Sequence, residues 1–200
     1  PPPRPRLAIL LSGSGRTLLK LLDAIGRAEL NAEIALVIAS RECLGARRAR
    51  ERNLPTQVIP GDIPRDRLAA ILDEHRIDLV VLAGYLRFMH IPDAFRGRVV
   101  NIHPALLPAF GGRGMYGDKV HAAVLAHGCK VSGCTVHFVD DRYDEGPIIA
   151  QESVPVLEGD DIHTLADRVF AAECRLYPRA LQLVLAGHVT VDGRCTHVRG

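Results

Sequence analysis

The feature that most constrains the fold of this chain is a series of continuous apolar segments separated by amphipathic ones. The apolar segments are predicted strands at residues 7–11, 33–40, 56–59 and 78–83. Between them, apolar side chains recur at helical spacing over residues 16–28, 44–52 and 65–76. Strands that are apolar on both faces belong in a parallel sheet with helices on both sides. The pattern therefore predicts an α/β fold with a doubly wound, mostly parallel, Rossmann-like sheet.

The second half of the sequence changes character and adds an antiparallel C-terminal portion. A fifth strand over residues 98–102 leads into a His-Pro pair and then a glycine-rich loop at residues 110–117. Further predicted elements are a helix over 119–126, paired strands over 131–139 and 148–154, a long helix over 161–186, and a hairpin over 189–198 around Asp192-Gly193. No linker interrupts the sequence, so we expect a single domain over residues 1–200, with a disordered tail at residues 1–6.

Composition narrows the classes of partner that this chain can have. Its 200 residues are 48% hydrophobic and 24% charged, which is typical of a globular domain. The net charge of +2 is too small to favour a nucleic acid or an anionic membrane surface. No apolar run approaches the ~18 residues of a membrane span. Five cysteines without a CxxC pair predict reduced thiols in the cytoplasm, and no metal site.

The loop after the first strand has the composition of an anion site. Small residues, Ser12-Gly13-Ser14-Gly15, are followed by Arg16-Thr17 at the start of the first helix, where backbone N–H groups can approach a phosphate. The third glycine of a dinucleotide fingerprint is replaced by Leu18, and the lysine of a nucleoside triphosphate loop is missing. The loop therefore suits one small phosphate, or is a tight turn that binds nothing.

Two polar residues at the end of the fifth strand form a candidate catalytic pair. Side chains alternate along a strand, so Asn101 and His103 lie on the same face, at the end where open α/β sheets bind ligands. An amide stabilises an oxyanion and an imidazole moves protons, which together suit acyl transfer. The competing interpretation is a purely structural histidine.

An acidic loop at residues 140–147 carries four carboxylates within residues 140–145. It lacks the spacing of a calcium loop, and a solvated turn is one interpretation. If the loop folds over His103, one carboxylate would hold the ring and favour its protonated form. The spacing of the residues leaves both interpretations open.

In combination, these residues resemble the folate-dependent formyltransferase family, in particular its members that act on glycinamide ribonucleotide. The matching motifs are Leu11-Ser-Gly-Ser-Gly15, Val80-Val-Leu-Ala-Gly-Tyr-Leu-Arg87, Asn101-Ile-His-Pro-Ala-Leu-Leu-Pro108, Gly133-Cys-Thr-Val-His-Phe-Val139 and Asp144-Glu-Gly-Pro-Ile-Ile-Ala-Gln151. The resemblance implies a formyltransferase domain with a phosphate-binding half at 7–100 and a catalytic and folate-binding half at 101–200. It implies formyl transfer from 10-formyltetrahydrofolate, without a metal, to the amine of glycinamide ribonucleotide in purine biosynthesis.

The resemblance also assigns catalytic and folate-binding roles. Asn101 would bind the formyl oxygen, His103 would donate a proton and stabilise the oxyanion, and Asp144 would keep His103 charged. The implied folate-binding residues are Arg65, Leu86, Arg87, Phe88, Met89 and Asn101. Within that set Leu86–Met89 would line the pterin pocket, and Arg65 would meet the glutamate tail.

The acceptor side of the implied site shows departures from the family pattern. The implied phosphate-binding residues are Ser12, Gly13, Ser14, Gly15, Arg16 and Thr17. Arg16-Thr17 replaces the usual Ser-Asn pair, yet a guanidinium and a hydroxyl still suit a phosphate monoester. Glu173 matches the ribose-binding glutamate, while Cys174 stands where a histidine often follows it. His121 matches a histidine of relatives, and a surface role is the other interpretation.

Other functions fit part of the same pattern. A formyltetrahydrofolate hydrolase shares the Asn-x-His and Asp motifs but usually carries an extra N-terminal module, whereas the first strand here starts near Leu7. A methionyl-tRNA formyltransferase would need a basic RNA-binding domain, for which 200 residues leave no room. A formyltransferase acting on another phosphorylated amine, or a non-catalytic folate- or nucleotide-binding module, also remains open.

Overall fold

The computed structural model describes residues 3–199. The chain divides into two compact units, one that ends at Asn101 and one that starts at Ile102. Residues 1 and 2 of the predicted tail, and Gly200, lie outside the described residues. Arg6, which the predicted tail included, is the first residue of the first strand.

The first unit is a parallel sheet with helical connections. Its elements are β1 (Arg6–Leu11), α1 (Arg16–Gly26), β2 (Glu33–Ala39), α2 (Leu44–Arg50), β3 (Thr56–Val58), α3 (Arg65–Glu74), β4 (Leu79–Leu82), a short 3-10 helix (Asp93–Phe95) and β5 (Val99–His103). The pairs β2–β3, β1–β2, β1–β4 and β4–β5 are all parallel. Successive strands are thus added first on one side of β1 and then on the other, which is the doubly wound arrangement predicted from the sequence.

The second unit contains the antiparallel portion. After the end of β5 it comprises α4 (Asp118–Ala126), β6 (Val131–Phe138), β7 (Ile148–Pro155), α5 (Ile162–Leu185), β8 (Val189–Asp192) and β9 (Cys195–Val198). Strands β6 and β7 pair antiparallel, and β8 and β9 form a separate two-stranded hairpin. Within the described residues, the strand order of the first unit is β3-β2-β1-β4-β5, and β6 and β7 are neighbours in the second unit.

Burial explains why the continuous apolar segments form strands. Every residue of β1 from Leu7 to Leu11 is fully buried, as expected for a central strand covered on both faces. Helix α1 buries only Leu18, Leu21 and Ala24 and keeps its opposite face polar, which is the amphipathic pattern that predicted it. All predicted helices and strands are present, with ends within two residues of the observed ones.

Helix α5 is the longest element and starts at a well-defined cap. The Asp161 side chain accepts a hydrogen bond from the Thr164 backbone N–H, and the Thr164 side chain accepts one from the Asp161 N–H. This reciprocal capping satisfies donors that a helix start leaves unpaired. Among residues 3–199, no helix combines the length and the apolar character needed to cross a membrane.

Candidate active site

Strand β5 ends with the two polar residues that the sequence singled out. Asn101 and His103 are two positions apart on a regular strand, so their side chains lie on the same face. Asn101 is half-buried, whereas the His103 side chain is buried. The strand therefore presents an amide and an imidazole side by side at its C-terminal end.

The His103 ring is held at both of its nitrogens. Its Nε2 lies 2.8 Å from the Phe110 carbonyl oxygen, and its Nδ1 lies 3.5 Å from Oδ2 of Asp144. A carbonyl oxygen only accepts hydrogen bonds, so Nε2 carries the proton in that contact. Because both nitrogens face oxygen acceptors, this geometry accommodates a doubly protonated ring.

Asp144 is the carboxylate that joins the acidic loop to His103. Its second oxygen, Oδ1, lies 3.6 Å from Nε2 of His137, and its Oδ2 accepts a hydrogen bond of 2.9 Å from the Gly112 N–H. The carboxylate thus lies between two imidazoles. This contact excludes the interpretation of the acidic loop as only a solvated turn.

The path of the acidic loop explains why Asp144 reaches the cluster. The backbone of Asp144 is left-handed, with φ of 56°, a conformation that aspartate tolerates better than most residues. Gly146 fixes the base of the loop, because a Cβ at this position would lie 1.8 Å from the Phe138 carbonyl oxygen. The exposed residues 141–143 form the tip of the same loop.

Burial and charge act in opposite directions on the two groups. Burial lowers the pKa of His103, although the Asp144 carboxylate and the hydrogen bond to Phe110 raise it in part. Burial on its own would raise the pKa of Asp144, but the hydrogen bond to His137 and the charge of His103 outweigh it and hold that pKa below its usual value. Asp144 is therefore a fixed anion beside an imidazole whose pKa lies below its usual value.

His137 belongs to this cluster and was missed as a functional residue in the sequence. Its Nδ1 lies 2.7 Å from the Phe138 carbonyl oxygen, which turns Nε2 toward Asp144. Little in the sequence marks it, because the register of β6 against β7 shifts between Val136 and His137, so regular alternation does not fix the face on which its side chain lies. Without a known partner for His137, the sequence alone did not indicate a functional role for this residue.

A buried hydroxyl anchors the segment that follows His103. Thr135 Oγ1 donates to the Ala105 carbonyl oxygen and accepts from the Leu107 N–H, at 2.7 Å and 3.0 Å. The Gln151 side-chain amide also donates to Thr135 Oγ1 and to the Leu107 carbonyl oxygen. These contacts link β6 and β7 to the chain that leads from His103 to Phe110.

The suggested surface role of His121 is wrong. Helix α4 buries His121 together with Val120 and Val124, and the His121 side chain is 4% exposed. Its Nδ1 is buried without a hydrogen-bond partner. Burial lowers the pKa of His121, with the Asp118 carboxylate opposing that shift and the charge of His103 adding to it.

The glycine loop after β1 is built from backbone groups. Gly15 is left-handed, with φ of 74°, and caps α1, and a Cβ at that residue would lie 2.7 Å from Cα of Gly45. The Gly45 N–H donates to the Gly13 carbonyl oxygen at 2.9 Å. Glycine is needed at both residue 15 and residue 45, because a side chain at either would block this close approach of α2 to the loop.

Two arginines bind the other carbonyls of the loop. Arg41 Nε donates to the Ser12 carbonyl oxygen at 2.9 Å, and Arg48 Nη1 donates to the Ser14 carbonyl oxygen at 2.8 Å. In a planar trans peptide the N–H of the next residue points opposite to the carbonyl. The N–H groups of residues 13–15 therefore point away from the donors that bind the preceding carbonyls.

The other loop residues differ in exposure. Ser14 and Arg16 are exposed and Thr17 is half-buried, so their side chains border solvent. Ser12 is 1% exposed, and its hydroxyl lies 2.7 Å from Ser40 Oγ.

The proposed folate-binding residues lie on two segments of the first unit. In Leu86–Met89, Leu86 and Arg87 are exposed, Phe88 is half-buried against the edge of His90, and Met89 is buried. Arg65 is the first residue of α3 and pairs with Asp93 at 3.5 Å.

Glu173 lies on α5 and is half-buried. Burial, followed by the charges of Glu173 and Glu152, raises the pKa of the Cys134 thiol to about 12. Cys134 is therefore a neutral core thiol and unsuited to nucleophilic chemistry. Within residues 3–199, no three His, Cys, Asp or Glu side chains are grouped to hold a metal ion.

Comparison with known proteins gives consistent matches over most of the chain. A sequence profile of the family described as formyl transferase matches residues 5–181. The chain is 40% identical over 186 residues to a chloroplastic phosphoribosylglycinamide formyltransferase of Arabidopsis thaliana, covering 88% of this chain and 64% of that protein. The chain thus spans less than two thirds of that relative's length.

Two further matches cover both partners almost completely. A phosphoribosylglycinamide formyltransferase of Mycobacterium tuberculosis is 43% identical over 204 residues, covering 97% of this chain and 92% of that one. The crystal structure of glycinamide ribonucleotide transformylase 1 from Symbiobacterium toebii superposes with a TM-score of 0.90 at 39% identity, covering 98% of this chain and 95% of that one.

Proposed function

Because the chain belongs to the formyl transferase family, we propose that it transfers the formyl group of 10-formyltetrahydrofolate to the primary amine of glycinamide ribonucleotide. This reaction is a step of purine biosynthesis, and the proposal places it in the cytoplasm. The observation that carries it is the buried His103, held by Asp144 and two residues from Asn101 on the same strand face. The names of the relatives support this choice of acceptor.

The proposed chemistry is direct attack of the amine on the formyl carbon. A C–N bond forms, the carbonyl electrons move to oxygen, and the resulting oxyanion is stabilised by the Asn101 amide and protonated His103. When the carbonyl re-forms, the bond to N10 of the folate breaks. N10 takes up a proton and the amine loses one, so the proton count is balanced. No covalent enzyme intermediate is needed, so none of the five cysteines is required.

Asp144 acts on this reaction through His103. Its negative charge favours the protonated imidazole, which burial disfavours. His103 Nε2–H donates a hydrogen bond to the Phe110 carbonyl oxygen, and the proton of this group is the one that His103 offers to the oxyanion. Bound substrate would therefore replace the Phe110 carbonyl as the partner of Nε2.

Binding of the two substrates is assigned to separate segments. Gly13, Ser14, Gly15, Arg16 and Thr17 form the proposed phosphate site, next to the buried Ser12, and Glu173 is the proposed ribose ligand. Backbone N–H groups at a helix start suit a phosphate without needing a particular side chain. The replacement of Ser-Asn by Arg16-Thr17 is therefore compatible with phosphate binding. For the folate, Leu86–Met89 is the proposed pterin site and Arg65 the partner of the glutamate tail.

The test is a formyl transfer assay with purified protein, run with and without glycinamide ribonucleotide. Asn101→Ala and His103→Ala are each expected to lower kcat by about 10²–10⁴-fold, the range typical of a lost acid or oxyanion donor. His188→Ala, which removes an exposed histidine, serves as the control and should leave kcat unchanged. Near-normal turnover in both active-site variants would refute the proposal.

The same assay separates the competing functions. Formate release at equal rates with and without the acceptor would indicate a formyltetrahydrofolate hydrolase. Formyl transfer to a different phosphorylated amine, with no turnover of glycinamide ribonucleotide, would change the acceptor and leave the mechanism intact. If the protein binds the folate but catalyses neither hydrolysis nor formyl transfer, it would be a binding module.

A further inference from the structure

Ser12 has contacts that set it apart from the rest of the glycine loop. Its hydroxyl oxygen accepts a hydrogen bond of 2.9 Å from the Leu86 N–H and lies 2.7 Å from Ser40 Oγ, which donates to it. Its backbone N–H donates to the Gly84 carbonyl oxygen at 3.0 Å, and its own carbonyl accepts from Arg41. Every polar group of Ser12 is thus bonded within the first unit.

These contacts join three separate segments at the C-terminal end of the parallel strands. Ser12 follows β1, Ser40 follows β2, and Gly84 to Leu86 follow β4. Ser40 is 4% exposed, and its own N–H donates to the Leu11 carbonyl oxygen. The hydroxyl pair therefore lies in the interior, beneath the loops that the strands carry.

This arrangement leaves the Ser12 hydroxyl poorly placed to bind a phosphate. A hydroxyl has one proton and two acceptor lone pairs, and a phosphate oxygen could use only the proton. Both acceptor positions are occupied by the N–H of Leu86 and the hydroxyl of Ser40, so only the proton is left for another partner. Burial keeps a phosphate in solvent away from that proton, because the Ser12 side chain is 1% exposed, in contrast with the exposed Ser14 two positions later.

We propose that Ser12 is a positioning residue for the folate-binding segment rather than a ligand of the substrate phosphate. Its hydroxyl fixes the Leu86 N–H and thereby the start of Leu86–Met89, and Ser40 orients that hydroxyl. The inference rests on the proposed function, because it assumes that Leu86–Met89 contacts the folate. Loss of the hydroxyl should therefore weaken binding of 10-formyltetrahydrofolate while binding of glycinamide ribonucleotide is largely retained.

The decisive variant is Ser12→Ala, with Ser132→Ala as its matched control. Ser132 is likewise a buried serine, but its hydroxyl has no hydrogen-bond partner, so its removal breaks no hydrogen bond. For Ser12→Ala we expect KM for 10-formyltetrahydrofolate to rise about tenfold, the cost of a lost buried hydrogen bond. KM for glycinamide ribonucleotide should change less than about threefold, and Ser132→Ala should change neither value.

A second measurement does not depend on catalysis. Hydrogen exchange of the Leu86 amide should become about tenfold faster in Ser12→Ala and stay unchanged in Ser132→Ala. Ser40→Ala should leave that amide protected, because the bond from Leu86 to Ser12 remains. If Ser12→Ala does not fold, Ser12→Cys keeps the volume and weakens the acceptor, and it replaces Ser12→Ala in both measurements.

The outcomes separate this inference from the proposed function. Unchanged Leu86 exchange in Ser12→Ala, or a rise in KM confined to glycinamide ribonucleotide, would overturn the positioning role. A wild-type protein that neither binds nor uses 10-formyltetrahydrofolate would overturn the proposed function, while the exchange result would still show whether Ser12 holds Leu86.

Discussion

The glycine loop after β1 and the cluster around His103 are two polar regions built in opposite ways. The loop is made of backbone, with its carbonyls bound by Gly45, Arg41 and Arg48 from α2 and the end of β2. The cluster is made of side chains, two imidazoles around the Asp144 carboxylate. A backbone site depends on chain conformation, whereas a side-chain site depends on protonation.

This difference determines which substitutions each region tolerates. In the loop, a change of side chain at an exposed position leaves the N–H groups in place, which is why Arg16-Thr17 can replace Ser-Asn. In the cluster, exchange of one oxygen for nitrogen removes the charge on which His103 depends. We therefore expect isosteric changes to be most damaging in the cluster, and added methyl groups to be most damaging in the loop.

Among the changes that test this contrast between loop and cluster, the largest effect is expected for Asp144→Asn. Asparagine keeps the volume and tolerates the left-handed backbone at φ of 56°, so the change removes mainly the charge. We expect kcat to fall about 10²–10³-fold, within the range of acid–base contributions. The carboxylate raises the pKa of His103, so its loss should move the alkaline limb of the kcat–pH profile to lower pH.

Steady-state kinetics across pH would check this prediction, with Asp141→Asn as the control at the exposed tip of the same loop. An alkaline limb that stays in place in Asp144→Asn would show that His103 is not controlled by this carboxylate. The contrast between the glycine loop and a charge-dependent cluster would then fail, because the cluster would behave as a set of neutral polar contacts.

A smaller effect, on stability, is expected for Gly15→Ala in the loop. The new methyl group would meet Cα of Gly45 at 2.7 Å, at a residue with φ of 74°. Strain and overpacking together predict a loss of about 2–4 kcal/mol in the free energy of unfolding. Gly13→Ala is the matched control, because no atom lies within 4 Å of its Cβ position and its φ is not positive.

Urea unfolding of the two glycine variants would test this expectation. Equal stabilities would mean that the loop yields to an added methyl group, and the distinction between a rigid backbone site and a charged side-chain site would disappear. A selective loss in Gly15→Ala would locate the rigidity at the contact between the loop and α2.

The smallest effect concerns acid stability and His121. Burial lowers the pKa of His121 from 6.5, so below pH 6.5 the unfolded chain binds more protons than the folded one. Stability is therefore lost as pH falls from 6.5 toward the lower folded pKa. His121→Leu should reduce the loss between pH 7.5 and 5.5 by about 1 kcal/mol.

Chemical denaturation at both pH values would measure this difference. His103 also has a pKa lowered by burial, so part of the acid sensitivity should persist in His121→Leu. The pKa of Asp144 is lowered from 3.8, which places its contribution below this pH window. An identical pH dependence in wild type and His121→Leu would contradict the assignment.

The helices and strands could be predicted from sequence because their signals are local. Apolar runs, helical spacing and the Asp192-Gly193 turn placed each of them to within two residues. The short 3-10 helix at Asp93–Phe95 was not predicted, since one turn leaves no periodic pattern. Alternation along β5 likewise placed Asn101 and His103 on one face.

The contacts of the site depend on pairs that are distant in sequence, and local patterns alone could not predict them. Apart from the family resemblance, nothing in residues 140–147 distinguished Asp144 from its neighbours, because the choice depends on a left-handed turn and on the packing of Gly146. Ser12 meets a residue 28 positions away and another 74 positions away. Such pairs follow from the sheet topology and leave no mark on local spacing.

The acidic loop that carries Asp144, a hairpin connection between β6 and β7, tolerates substitution at its tip but not at its base. Gly146 admits no side chain because of the Phe138 carbonyl, while residues 141–143 are exposed. A probe or a short insertion could therefore be placed at Arg142, two residues from the carboxylate, with the base of the hairpin held in register. The same hairpin is thus an attachment point from which an environment-sensitive dye could report ligand arrival at the catalytic cluster in real time.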